Sequence, residues 1–171
     1  GGGGGTIAEA MLARAAPDGY TLMMSADSPP ANMHLFRNLS YDLLRDLRAV
    51  SMLSRVPLIL LVHPSVPAAT LQEFAAYARA KSGAVNYASP GSGTSNHLYM
   101  EILKGTGGFE MTHVPYKGGG PAMNDLLGGQ VQAILISVTL GAPNVRSGKL
   151  RAVAMSGDKR SAMLPQVPIF A

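Results

Sequence analysis

Cysteine is absent from all 171 residues, which removes thiolate metal ligands, thiol nucleophiles and any disulfide framework. A chain without cysteine suits the cytosol and an oxidising compartment equally, so this absence does not place it. Charge is sparse at 14% of residues, and the longest apolar stretch, Val56 to Val62, is far shorter than the roughly 20 residues that span a bilayer. The chain is therefore not expected to be embedded in a membrane. The formal charge of +4 and a sequence pI near 9.6 would suit a polyanion partner if the cations were clustered. They are scattered instead, singly or in pairs, at Arg45, Arg48, Arg55, Lys104, Lys117, Arg146, Lys149 and Arg151, and aromatic residues for base stacking amount to only 6%. Nucleic acid is excluded on that pattern, while a mild positive field suits a small anion.

What is present is a 47% hydrophobic chain, enough for a core in one domain or two small lobes. Short β-rich runs alternate with helical patterns across glycine, proline and small polar joints, which predicts an α/β fold with a mainly parallel sheet. Helices are expected over Thr6 to Ala15, Ala31 to Phe36, Asn96 to Lys104 and Ala142 to Arg146, and from Pro121 to the Gly128-Gly129 stop. Thr70-Leu71-Gln72-Glu73 reads as a capping box for another, whose face carries Leu71, Phe74, Ala75 and Ala78. Strands are expected over Tyr20 to Met24, Val85 to Ala88, Met111 to Pro115, Val131 to Val138 and Leu150 to Met155; Leu98, Ile102 and Leu103 are expected to face inward. The extended Arg48 to Val62 stretch is long enough to cross between lobes. The opening Gly1 to Gly5, the missing initiator methionine and the stop at Phe170-Ala171 are read as the ends of a fragment.

Two segments carry chemistry. Ser89-Pro90-Gly91-Ser92-Gly93-Thr94-Ser95 lies between a strand and a helix, where glycines let a ligand approach the backbone and free N–H groups and hydroxyls favour an anion. It lacks the lysine and spacing of a Walker loop. A tight turn capped by Thr94 or Ser95 is the plainer reading. Tyr116-Lys117-Gly118-Gly119-Gly120 repeats the arrangement after the next strand; loops at the carboxyl ends of neighbouring strands face one crevice. His97 invites a Ser/His hydrolase reading, but no Gly-x-Ser-x-Gly elbow is present and no carboxylate is placed to orient the ring. Capping or packing suits His97 better, and His34, His63 and His113 are too dispersed for a metal site.

Taken in order, Ala16-Pro17-Asp18-Gly19-Tyr20-Thr21-Leu22, Val62-His63-Pro64-Ser65-Val66-Pro67, Asn86-Tyr87-Ala88-Ser89-Pro90-Gly91-Ser92-Gly93-Thr94-Ser95-Asn96-His97-Leu98, His113-Val114-Pro115-Tyr116-Lys117-Gly118, Leu126-Leu127-Gly128-Gly129-Gln130-Val131 and Gly148-Lys149-Leu150-Arg151-Ala152 resemble the Bug family. These are the extracytoplasmic solute receptors of tripartite tricarboxylate transporters, and the likeness covers essentially the whole chain.

The resemblance implies a periplasmic-binding-protein type II-like fold of two α/β lobes around a cleft, with the family's N-terminal strand and C-terminal part missing here. It implies a periplasmic protein that captures a small carboxylate for membrane permease subunits, with no catalytic residue, metal or cofactor. Residues 1–54 are assigned to the first lobe, 55–148 to the second, and 149–171 to a strand returning to the first. The expected ligand-binding residues are Ser25 and Ala26 from one lobe, and Ser89, Gly91, Ser92, Gly93, Thr94, Ser95, His97, Tyr116, Lys117, Gly118 and Ser137 from the other. Where many relatives carry Phe-Asp-Asn, this chain has Leu135-Ile136-Ser137, which points away from an amino-acid ligand and toward a more apolar carboxylate. A ligand-sensing subunit that presents its closed form to a signalling partner is the alternative. Because a cleft ligand is held from both sides, the fragment is expected to bind more weakly than an intact parent.

Overall fold

The computed structural model describes residues 3–170 of the chain. Five strands form one mixed sheet in the order β3-β2-β4-β1-β5: β1 is Leu58–Val62, β2 Asn86–Ser89, β3 Thr112–Pro115, β4 Ala133–Ser137 and β5 Arg151–Met155. Strands β2, β3 and β4 run parallel, whereas β1 is antiparallel to both β4 and β5. The sheet is thus mixed: β2, β3, β4 and β5 point the same way, in keeping with the mainly parallel expectation, and β1 runs against them. Local composition marks β1 as a strand but carries no information on its direction.

Ile59, Leu60, Leu61 and Val62 are all fully buried, a run without alternation, as expected for a strand covered on both faces. Ile59 and Leu61 pack with Ala122, Leu126 and Ala142, from α6 (Gly119–Leu127) and α7 (Val138–Arg146). Leu60 and Val62 pack with Phe74, Ala78 and Met100, from α4 (Leu71–Ala80) and α5 (Ser95–Gly107). Each such side chain stabilises the fold by about 1.5–3 kcal/mol over its exposed state. The expected capping box is present: Glu73 N–H donates to Thr70 Oγ1 at 3.2 Å, and Thr70 N–H to Glu73 Oε2 at 3.1 Å. On α5 Met100 is fully buried and Leu103 packs against the same core as expected, while Ile102 is exposed and corrects that part of the expected face.

The strand β5, expected to return to the first lobe, pairs with β1 instead. Its residues Val153 and Met155 lie in the two different cores, across the register shift in the β1–β5 pairing. Leu164 and Val167 extend the same core beyond it.

Residues 3–56 contribute a 3-10 turn (Gly3–Gly5) and helices α1 (Thr6–Ala13), α2 (Pro29–Leu35) and α3 (Leu43–Asp46). Buried Glu9 is tied down by the Tyr41 hydroxyl. Tyr20 to Met24, expected to be a buried strand, is extended but unpaired, with Tyr20, Leu22 and Met24 exposed at 92%, 75% and 85%. No strand among the described residues lies alongside to complete its hydrogen bonds.

Gly141 shows how closely α7 sits on the sheet, for a Cβ there would come within 2.8 Å of Leu61 Cδ1 and 3.1 Å of Ile59 Cγ2. Gly141→Ala is expected to lower stability by about 1–3 kcal/mol, read as a lower urea midpoint at unchanged slope.

Candidate functional site

Because β1 runs against its neighbours, the carboxyl ends of β2, β3, β4 and β5 gather at one edge of the sheet, beside the start of β1. An open groove of about 1590 Å³ lies there, walled by Pro90 after β2, Gly119 after β3, Ser137 at the end of β4 and Ser156 after β5. Its other wall is built from Met23 to Asp27 and Ser51 to Val56. The two walls are joined by a 3.3 Å hydrogen bond from the Tyr99 hydroxyl to Asp27 Oδ2; burial and the Asp27 carboxylate both raise the Tyr99 pKa.

The structure brings together only part of the expected site. Ser25, Ala26, Ser95 and Ser137 line the groove. Ser89 does not: it is fully buried, with Oγ 2.6 Å from His113 Nε2, and it accepts the Gly91 N–H at 3.2 Å. Thr94 is the N-cap of α5, its hydroxyl donating to Gly91 O at 2.7 Å and accepting the His97 N–H. Gly93 is buried, and a Cβ on it would lie 3.4 Å from the Phe36 ring. Gly91 is partly buried with a φ of 154°, and Ser92 is exposed.

Tyr116 donates its hydroxyl to Asp125 Oδ2 at 2.6 Å, and burial with that bond pushes its pKa up to about 12. Lys117 is exposed, and Gly118, at a φ of 115°, donates its N–H to Pro90 O. None of these three faces the groove, because the turn closes back on the Ser89 loop. His113, read as dispersed, stacks on His97 with ring centres 4.0 Å apart. Among the described residues no cluster of His, Asp and Glu is able to hold a metal ion.

Three features escaped the sequence reading. Gly119 lies where a Cβ would meet Leu140 Cδ2 at 2.9 Å and Ile136 Cδ1 at 3.2 Å, so the groove there is walled by apolar side chains against bare backbone. The cap of α6, Gly118, makes no side-chain hydrogen bond, so no side chain caps the first N–H groups of that helix. The opening glycines take part in the fold: Gly3, Gly4 and Gly5 all have positive φ, and Gly4 O accepts from Ser28 Oγ and Asn32 Nδ2. A Cβ on Gly4 would sit 3.5 Å from Gly93 O, so two glycine turns meet back to back. The run of glycines before a helix start was the available signal.

The family described as "Tripartite tricarboxylate transporter family receptor" matches residues 1–171. Protein BugT of Bordetella pertussis is 38% identical over 172 residues, covering 99% of this chain and 53% of that protein. A Rhodopseudomonas palustris protein solved with adipate superposes with a TM-score of 0.87 at 30% identity, over 96% of this chain and 56% of the other. MatC from the same organism, solved with bound malate, gives a TM-score of 0.85 at 32% identity over 98% and 57%. The chain spans about half the length of the curated relatives it matches. Its α/β architecture is that of periplasmic binding proteins. A match over every residue, with this fold beneath it, shows that the chain belongs to the tripartite tricarboxylate transporter receptor family.

Proposed function

We propose that this chain is the ligand-holding part of a periplasmic solute receptor that captures a small carboxylate, leaves it chemically unchanged and delivers it to the permease subunits of a tripartite tricarboxylate-type transporter. The observation that carries this reading is the groove at the carboxyl ends of the strands, onto which α6 opens at Gly119 with no side-chain cap. Uncapped N–H groups at a helix start favour an anion, and Ser95 and Ser137 beside them supply hydroxyls. Similar proteins are solved with malate and with adipate, which supports a carboxylate of that size. In this reading residues 3–56 form one wall of the cleft and belong to one lobe, while the sheet and its helices form the other. No helix among the described residues is long and apolar enough to cross a membrane, so delivery requires partner subunits.

Ile136 and Leu140 give the groove an apolar flank beside Gly119. An alkyl carboxylate fits that flank, while an ammonium group would lose its hydration there without a partner. The Ser89–His113 pair, 2.6 Å apart, is the buried arrangement that suggests a hydrolase. Its wiring argues against that: Ser89 is fully buried and uses its full capacity if its hydroxyl donates to Gly91 O while accepting from Gly91 N–H and His113 Nε2–H. In that tautomer His113 has no lone pair toward the serine with which to act as a base.

Alkyl mono- and dicarboxylates are expected to raise the melting temperature by roughly 5–10 °C at about a hundred times their Kd, with amino acids giving less and ester substrates no turnover. A panel in which no carboxylate shifts the melt would sink the reading. Leu140→Asp adds a negative charge at a 42% exposed position beside the start of α6, and should weaken carboxylate binding at least about tenfold. Leu140→Asn, measured by calorimetry alongside, should lose much less.

A further inference from the structure

Two of the four histidines meet beneath the Gly91–Gly93 turn. His97 Nδ1 accepts the Gly93 N–H at 3.3 Å. His113 stacks on His97 at 4.0 Å and on Tyr87 at 4.9 Å, with interplanar angles of 18° and 22°. The column arises because Tyr87 and His113 are register partners on β2 and β3, and α5 lays His97 over them. Gly93 is also where residues 3–56 touch the sheet half, through Phe36 and Gly4.

We infer that His97 is a positioning residue for the cleft: its neutral imidazole accepts the Gly93 N–H and fixes the turn on which the two walls meet, with His113 stacked against it to hold the ring. This rests on the reading of the groove as a ligand site and deepens it, because it makes the site acid-sensitive. An imidazolium carries a proton on Nδ1 and cannot accept from Gly93. Protonation of either ring also places a cation against a ring that is poorly hydrated.

The groups facing the pair are Glu101 and Lys104 from α5 and Tyr87 and Ser89 from β2. Glu101 favours the imidazolium and Lys104 opposes it. The Glu101 carboxylate is itself occupied, accepting from the Tyr87 hydroxyl and lying 2.9 Å from Lys104 Nζ. Burial is the main cause that holds His97 below its ordinary value, and burial followed by the charge of His97 holds His113 down at about 4. The sign follows. The unfolded chain takes up these protons near pH 6.5 and the folded chain only lower, so the stability tied to His113 is intact above that range and is lost as pH falls toward about 4, while the Gly93 bond is lost as His97 takes up its proton, below its ordinary value.

The test is NMR on 15N-labelled protein. In the wild type, the Gly93 amide shift should follow the His97 imidazole titration, while sheet amides such as Ile59 and Leu60 stay still. His97→Leu should speed Gly93 amide exchange about tenfold with the sheet amides unchanged, and His97→Asn, which keeps an acceptor near the Nδ1 position, should restore most of the protection. A wild-type Gly93 shift that ignores the imidazole titration overturns the inference even if a variant fails to fold. Equal exchange in His97→Leu and His97→Asn overturns it as well. Adipate and malate titrated at pH 7.5 and pH 5 into the wild type and His97→Asn form a separate arm: a larger loss of affinity at the lower pH in the wild type supports the coupling to the site, and an equal loss in both overturns it. If neither acid binds at pH 7.5 while Gly93 behaves as described, the positioning role stands and the carboxylate reading is what fails.

Discussion

The architecture depends on one strand that must be covered on both sides. With Ile59 and Leu61 in one core and Leu60 and Val62 in the other, Leu58–Val62 is stable only if helices lie on both faces of the sheet, and the chain supplies α6 and α7 to one face and α4 and α5 to the other. That requirement sends each crossover from the carboxyl end of one parallel strand into a helix start. The helix starts, and the glycines and serines that begin them, are thereby collected at a single edge. The groove is a consequence of how β1 is buried, and β1, running the opposite way, brings the Ser51 to Val56 segment to the same edge.

Much of this was legible because the local signals were strong and unopposed. The Thr70–Glu73 box, the Pro121 helix and the strand, glycine loop, helix unit at Ser89 each rest on chemistry within a few residues. What could not be read depended on distant partners. Tyr20 to Met24 has a strand's composition, yet strand structure needs a neighbouring backbone, and none is among the described residues. The antiparallel direction of β1 and the placing of β5 beside it are set by pairings between residues about 90 apart in sequence. His97 and His113 look unrelated at a separation of 16 residues, and only the β2–β3 register with α5 above it stacks them. Ile102 follows a helical spacing that suggested burial, but the face it occupies borders the groove instead of the core.

At the site, the distinction that matters is between polar groups already paired and those left open. The hydroxyls most attractive in the sequence, Ser89 and Thr94, are engaged inside their own loop, as is Tyr116 with Asp125. The opening of α6 has no side-chain cap, and its Gly119 lies against Leu140 and Ile136 while Gly120 is open. Sequence reading favoured the loop with the most hydroxyls, whereas hydrogen-bond accounting favours the helix end with none.

The paired groups still matter for binding, through cost instead of contact. Holding a ligand requires ordering whatever surrounds it, at about 1–2 kcal/mol for each residue whose backbone must be fixed. In the Ser89 loop that ordering is complete before any ligand arrives: Gly91 is held by Ser89 and Thr94, Gly93 by His97, and Gly118 by Pro90. A loop fixed in this way adds little further ordering cost to whatever the groove receives. The internal bonds that engage Ser89 and Thr94 are therefore what holds the loop beside the groove rigid.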